Sequence, residues 1–147
     1  MKLAINEARI GIRNGHGGPF GTVIVKDGKV IAKGHNEVIK NHDATCHGEM
    51  VAIRKASKKL GTYSLKDCVL YTTAEPCPMC LGAILWSNIS KVYYGCNIVD
   101  TENIGFRDKI FYEMTDEKKK EFIQELDHEK CLELFDEYKS IDDKENY

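Results

Sequence analysis

The apolar positions in residues 3–13, chiefly Leu3, Ala4, Ala8 and Ile10, fall mostly on one side of a helix, and Asn14-Gly15-His16-Gly17-Gly18-Pro19 supplies its end. Residues 20–25 are rich in β-branched side chains and predict a strand. Lys26-Asp27-Gly28-Lys29 predicts a tight turn, and residues 30–34 its antiparallel partner. Beyond a polar loop through Asp43, Met50, Val51, Ile53, Ala56 and Leu60 recur at helical spacing, so a second helix is expected over 47–60, closed by Gly61. Residues 68–73 form a near-continuous apolar and β-branched run, the pattern of a strand buried on both faces. Residues 77–86 are helix-like, with Pro76 and Pro78 tolerated near the first turn, and 91–95 predict a further strand.

Helix, hairpin, helix, strand, helix, strand is the order of an α/β sheet with helices packed on it. From Asp116 onward Glu, Asp and Lys dominate, while Phe122, Leu126, Leu132, Leu134 and Phe135 carry the apolar content. That tail is expected to be helical and to pack on its own body or on a neighbour's. There is no internal repeat.

At 147 residues the chain is expected to form one domain with a substantial core. No uncharged apolar run approaches the roughly 18 to 20 residues that span a bilayer. The acidic Glu7 falls where a signal peptide needs its apolar stretch, so the expected location is cytoplasmic. A net charge of −2 gives no general attraction for a polyanion. Arg54, Lys55, Lys58 and Lys59 cluster on one predicted helix, and a solvated helix face is the simpler account of them. Six cysteines do not require disulfides in a chain with a core of this size, and Cys46, Cys68, Cys96 and Cys131 are read as reduced.

The remaining two cysteines change the picture. His47-Gly48-Glu49 and Pro76-Cys77-Pro78-Met79-Cys80 each open a predicted helix. Free N–H groups and the positive dipole end there favour thiolates. One His and two Cys leave a tetrahedral zinc ion one ligand short, which is the mark of a catalytic site holding an acidified water. Glu49, two residues past His47, suits a proton shuttle that does not ligate the metal. A structural zinc module needs a fourth protein ligand. Cys46 adjoins His47, and helical neighbours point about 100 degrees apart; Cys68 falls in the predicted strand, where a small apolar role fits better. A thioredoxin-like dithiol accounts for Cys77 and Cys80 but not for His47 and Glu49.

H-x-E followed by P-C-x-x-C is the signature of zinc-dependent nucleobase deaminases. The likeness extends to Gly18-Pro19-Phe20-Gly21, His35-Asn36-Glu37-Val38, Asp43-Ala44-Thr45-Cys46, Leu81-Gly82-Ala83-Ile84, Gly105-Phe106-Arg107-Asp108, Ile110-Phe111-Tyr112 and Lys144-Glu145-Asn146-Tyr147. In this order they resemble the cytidine deaminase superfamily, and most of all its bacterial guanine deaminase branch. Ala44, Cys46, Gly48 and Arg107 differ from what members usually carry.

The resemblance implies a three-layer α/β/α fold around a mixed five-stranded sheet, a Zn2+ cofactor and a homodimer, with the segment from about 116 exchanged between subunits. It implies that His47, Cys77 and Cys80 hold the metal and that Glu49 is catalytic. Asn36 would bind the base, Phe20 and Trp86 would wall the pocket, Asp108 would meet the amino group being removed, and Tyr147 would reach in from the partner. The substrate implied is a purine, most simply guanine, converted to xanthine and ammonia. The tRNA-specific adenosine deaminases share the metal motifs and are the alternative; another nucleoside, a pterin or a related aminated heterocycle also fits.

Overall fold

The computed structural model describes residues 1–143, which fall into two compact units, Met1–Phe111 and the part from Tyr112 onward. In the first, α1 (Lys2–Arg13) leads into the hairpin β1 (Gly21–Lys26) and β2 (Lys29–His35). Asp27 and Gly28 both take positive φ, 50° and 73°, which matches the turn's twist to that of its strands. A short helix α2 (Val38–Asn41) precedes α3 (Gly48–Leu60), which ends at Gly61 in the left-handed conformation. Then follow β3 (Cys68–Ala74), α4 (Pro78–Trp86), β4 (Lys91–Cys96), α5 (Ile98–Asn103) and a 3-10 turn at Asp108–Phe111.

The sheet runs β2-β1-β3-β4, with β1 antiparallel to both neighbours and β3 parallel to β4. It is mixed, as expected, but among the described residues it has 4 strands and not five. After β4, Asn97 accepts from the backbone N–H of Val99 and Asp100, and Asp100 caps Asn97 in return. This capping box turns the chain into α5, so within the described residues nothing extends the sheet beyond β4.

Two glycines seat helices on opposite faces of the sheet. A Cβ at Gly21 would collide with the Ala4 carbonyl and the Ala8 amide of α1. At Gly34 it would come within 2.6 Å of the Gly48 carbonyl and 2.7 Å of the Ala52 amide of α3. Gly21 pairs with His35 and Thr22 with Gly34, so the pleat puts α1 over one face and α3 over the other. The main core lies under α3 and α4, where Ile24, Ala52, Ala56, Leu65, Cys68, Leu70 and Ile84 are buried together.

The expected burial of both faces of β3 holds for one only. Cys68, Leu70, Thr72 and Ala74 are buried, whereas Val69, Tyr71 and Thr73 are partly open. The basic cluster on α3 also differs from a simply solvated face. Lys55 and Lys59 donate to the Lys33 and Ile31 carbonyls of the edge strand β2, and Arg54 donates to Thr45. The edge is thereby blunted and the lysines are occupied.

The second unit holds α6 (Asp116–Phe122) and α7 (His128–Lys139), helical as expected. Phe122, Leu126, Leu134 and Phe135 are exposed on it. No helix among the described residues is long and apolar enough to cross a membrane.

Candidate active site

His47 is the residue capping the N-terminus of α3 and Cys77 the one capping α4, both in extended conformation; Glu49 and Cys80 lie within the first turns behind them. Pro78 occupies the first helical position, where its missing N–H leaves no bond unmade and its fixed φ sets the turn. The two helix starts therefore point their ligands at a common spot. His47 Nδ1 lies 3.6 Å from Cys77 Sγ and 3.6 Å from Cys80 Sγ. Zinc bonds of about 2.0 Å to nitrogen and about 2.3 Å to sulfur at tetrahedral angles separate N and S by about 3.5 Å. The three residues thus fit zinc with one position left over.

The sulfurs share their protons unequally. The Cys80 thiol and then His47 hydrogen-bond to Cys77 and hold it as a thiolate, down to about 4. The same contact, with burial, pushes Cys80 up. His47 is raised by its hydrogen bond to Cys77. Neither Cys46 nor Cys68 completes a fourth ligand. Cys46 Sγ donates to Asp43 Oδ2 at 3.2 Å, and Cys68 is wholly buried in the apolar core.

Glu49 is 5% exposed, and burial raises its carboxyl above the ordinary range. Its Oε1 accepts from the Thr72 hydroxyl at 2.7 Å, and Thr72 in turn accepts from Thr22 at 3.2 Å. Both threonines are wholly buried and stand directly opposite each other on β3 and β1. Glu49 Oε2 faces Cys80 Sγ at 3.5 Å. One carboxylate oxygen is pinned to the sheet and the other is presented toward the ligands.

A cavity of about 550 Å³ opens onto these groups and is lined by His47, Glu49, Asn36, Phe20, Phe106, Arg107 and Asp108 among others. Asn36 Oδ1 accepts from the Gly18 and Val38 N–H groups, both at 3.3 Å, which leaves its amide N–H groups as the donors available to a ligand. Phe20 and Phe106 meet edge to face at 4.7 Å between ring centres and form an apolar wall. Asp108 opens the 3-10 turn; burial, and then the Cys77 charge, raise its carboxyl.

Trp86 does not line the cavity. It ends α4 whereas Cys77 and Pro78 begin it, and at about 1.5 Å per residue that helix carries it some 12 Å away. Phe106 supplies the wall instead, a role the sequence reading missed along with Thr22 and Thr72. Tyr147 lies outside the described residues.

The chain is 50% identical to the guanine deaminase of Bacillus subtilis over 121 residues, covering 82% of this chain and 78% of that one. A crystal structure of guanine deaminase from Bacillus subtilis superposes with a TM-score of 0.92 at 45% identity, covering 99% of this chain and 95% of the other. The tRNA-specific adenosine deaminase of Aquifex aeolicus is 37% identical, over 86% of this chain and 93% of its own. Residues 1–96 match the family model for the cytidine and deoxycytidylate deaminase zinc-binding region. With the metal ligands, the buried glutamate and the sheet in register, the chain belongs to the zinc-binding cytidine and deoxycytidylate deaminase family.

Proposed function

We propose that this protein hydrolyses guanine to xanthine and ammonia. The observation that carries the reading is one cavity that joins Glu49, His47 and Cys77 to an amide donor, Asn36, and a carboxylate acceptor, Asp108. Guanine carries an amino group at C2 beside N1–H, and the Asp108 carboxylate accepts from that edge. Asn36, its oxygen already held by backbone, donates to a carbonyl or ring nitrogen of the base. Phe20 and Phe106 exclude water from the ring faces. The similarity to guanine deaminase over most of both chains supports the same substrate.

His47, Cys77 and Cys80 would hold the zinc ion, which when bound would supply a water acidified toward neutrality as nucleophile. Glu49 takes a proton from the attacking water and delivers it to the ring nitrogen beside C2, then carries the remaining hydroxyl proton of the C2 adduct to the amine, which leaves as ammonia while C2 becomes the carbonyl. Thr72 holds the carboxylate in the orientation this shuttle needs. Asp108, accepting from the N1–H and amino edge, fixes the orientation of the base and of the amine that departs.

The protein acts as a homodimer in this reading. Leu81, Leu85, Trp86, Tyr93 and Tyr94 are exposed on α4 and β4, an apolar surface that a second copy would cover. The segment from about 116, with its exposed Phe122 and Leu126, lies against that copy, and Tyr147 closes the partner's cavity.

The test is ammonia release from guanine, adenine, cytosine, their nucleosides and a tRNA anticodon stem-loop. Guanine is expected to be turned over best, with xanthine formed in equal amount. Inosine formation in tRNA with no ammonia from guanine would assign the protein to the adenosine-editing alternative.

A further inference from the structure

A second group of metal-capable side chains lies apart from His47, Cys77 and Cys80. His16 in the loop after α1, His35 at the end of β2 and Glu37 each offer one ligand atom, all within 4.8 Å of one another. His16 Nδ1 is 2.9 Å from His35 Nε2, and Glu37 Oε1 is 3.6 Å from that same nitrogen. The ring centres are 5.2 Å apart, so the two rings meet nitrogen to nitrogen, bridged by one proton. On one tetrahedral ion with bonds of about 2.1 Å the two nitrogens would stand about 3.4 Å apart, about half an ångström more than here.

The far side of His35 is prepared for such a role. Its Nδ1 faces Glu7 Oε2 at 3.4 Å, and the side chains of His35 and Glu7 are 9% and 15% exposed. A carboxylate there makes Nδ1 the N–H and leaves Nε2 with its lone pair, the arrangement that orients metal-binding histidines. Gly11 of α1 leaves room for the ring, since a Cβ there would come within 2.8 Å of His35 Cδ2. Lys33 and Lys40, which neutralise Glu7 and Glu37, are 45% exposed and free to swing into solvent.

We propose that His16 Nδ1, His35 Nε2 and Glu37 form a second site for a divalent transition ion of the zinc class, with Glu7 orienting His35. Three nitrogen and oxygen donors without sulfur suit zinc, nickel or cobalt. The ion displaces the proton shared by the two rings, which turn in their planes and part by a few tenths of an ångström. The His16 backbone is held by Gly11 on one side and by Ile39 and Lys40 on the other, so the adjustment falls to its side chain.

The position of the site gives it a consequence. His35 and Glu37 flank Asn36, and His16 precedes Gly17 and Gly18, whose backbone holds the Asn36 oxygen through Gly18. An ion there ties together the two segments that fix Asn36. The existence of the site is independent of the substrate assigned above.

The zinc-loaded protein, its His16→Ala and Glu37→Gln variants, and wild type carrying cadmium-113 provide the test. Calorimetric titration with Zn2+ should find a second equivalent in wild type, weakened about tenfold or more in each variant, while the first stays bound. Cadmium NMR should show one far-downfield thiolate resonance and one upfield nitrogen–oxygen resonance, and only the upfield one should vanish in His16→Ala. Circular dichroism verifies folding, and Glu37→Gln preserves side-chain shape should His16→Ala unfold. A single equivalent in wild type under excess Zn2+, or a second equivalent unchanged in both folded variants, would overturn the proposal.

Discussion

Glu49 shows how a buried acid is made useful. Burial favours its protonated form, and the Thr72 hydroxyl opposes burial by donating to the charged form. Glu49→Ala should keep its zinc and its fold while turnover falls by about a hundredfold or more, because the proton shuttle alone is removed; metal analysis and steady-state kinetics check both halves. Thr72→Val keeps the shape of the side chain and removes the hydrogen bond. A bond to a charged group is worth about 1.5–3 kcal/mol, so kcat should drop about ten- to a hundredfold with KM little changed. Thr72→Ser should recover most of it; a Ser variant as slow as Val would instead mean that the methyl packing matters.

The sulfurs make a prediction at the same scale. With Cys77 already a thiolate down to about 4 and Cys80 held as the thiol, loading zinc at neutral pH must expel the Cys80 proton, and the His47 proton as well wherever the imidazole is charged. Apparent affinity should therefore rise with pH, about tenfold per unit for each proton released. Calorimetry of the metal-free chain in buffers of different ionisation enthalpy measures that release directly. Proton-neutral binding at pH 7 would contradict the shared-proton pair.

Among the elements, the sheet and the helices it carries were legible because their signals are local. An Asp-Gly turn between β-branched runs, Gly61 closing α3 and Pro78 at the first position of α4 each announce their conformation within a few residues. Contacts across strands were not legible. Thr22 meets Thr72 only through the β1–β3 register, 50 residues apart in sequence, so the support beneath Glu49 has no sequence signal. His16 and His35 likewise meet across 19 residues, brought together by the turn out of α1. Trp86, given a place at the pocket by resemblance, ends α4 at the far end of a straight helix from Cys77 and does not line this chain's own cavity. The close approach of α3 to β2 gives the prediction at this scale. Gly34→Ala would press its methyl against α3 backbone, which cannot yield as a side-chain tip can. A loss of about 1–3 kcal/mol in chemical denaturation is expected, and because α3 carries His47 and Glu49, zinc affinity should fall with it.

For the whole molecule, the substrate reading depends on which surface is left for a partner. The lysines that might have met a polyanion, Lys55 and Lys59, are bonded to the edge of β2, and the chain carries a net charge of −2. A neutral base under a protein cap should be turned over with little dependence on salt, because no counterions are released. A tRNA reader should lose affinity steeply as salt rises. The fifth strand and the roles given to Trp86 and Tyr147 came from resemblance alone, and the described residues contain neither that strand nor Tyr147. Truncation before Lys144 tests the cap. If the C-terminal segment closes a partner's cavity, the shortened protein should keep one zinc at the His47 site and remain a dimer by light scattering, since α4 and β4 still offer their apolar face. Its turnover of guanine should fall about tenfold or more, a loss of order 1.4 kcal/mol in transition-state binding. Mixing it with Glu49→Ala chains separates a cap lent in trans from one supplied in cis. In a mixed dimer the truncated subunit has an intact Glu49 and borrows the other chain's tail, so activity should return. No recovery on mixing, with subunit exchange verified, would place the cap on its own chain.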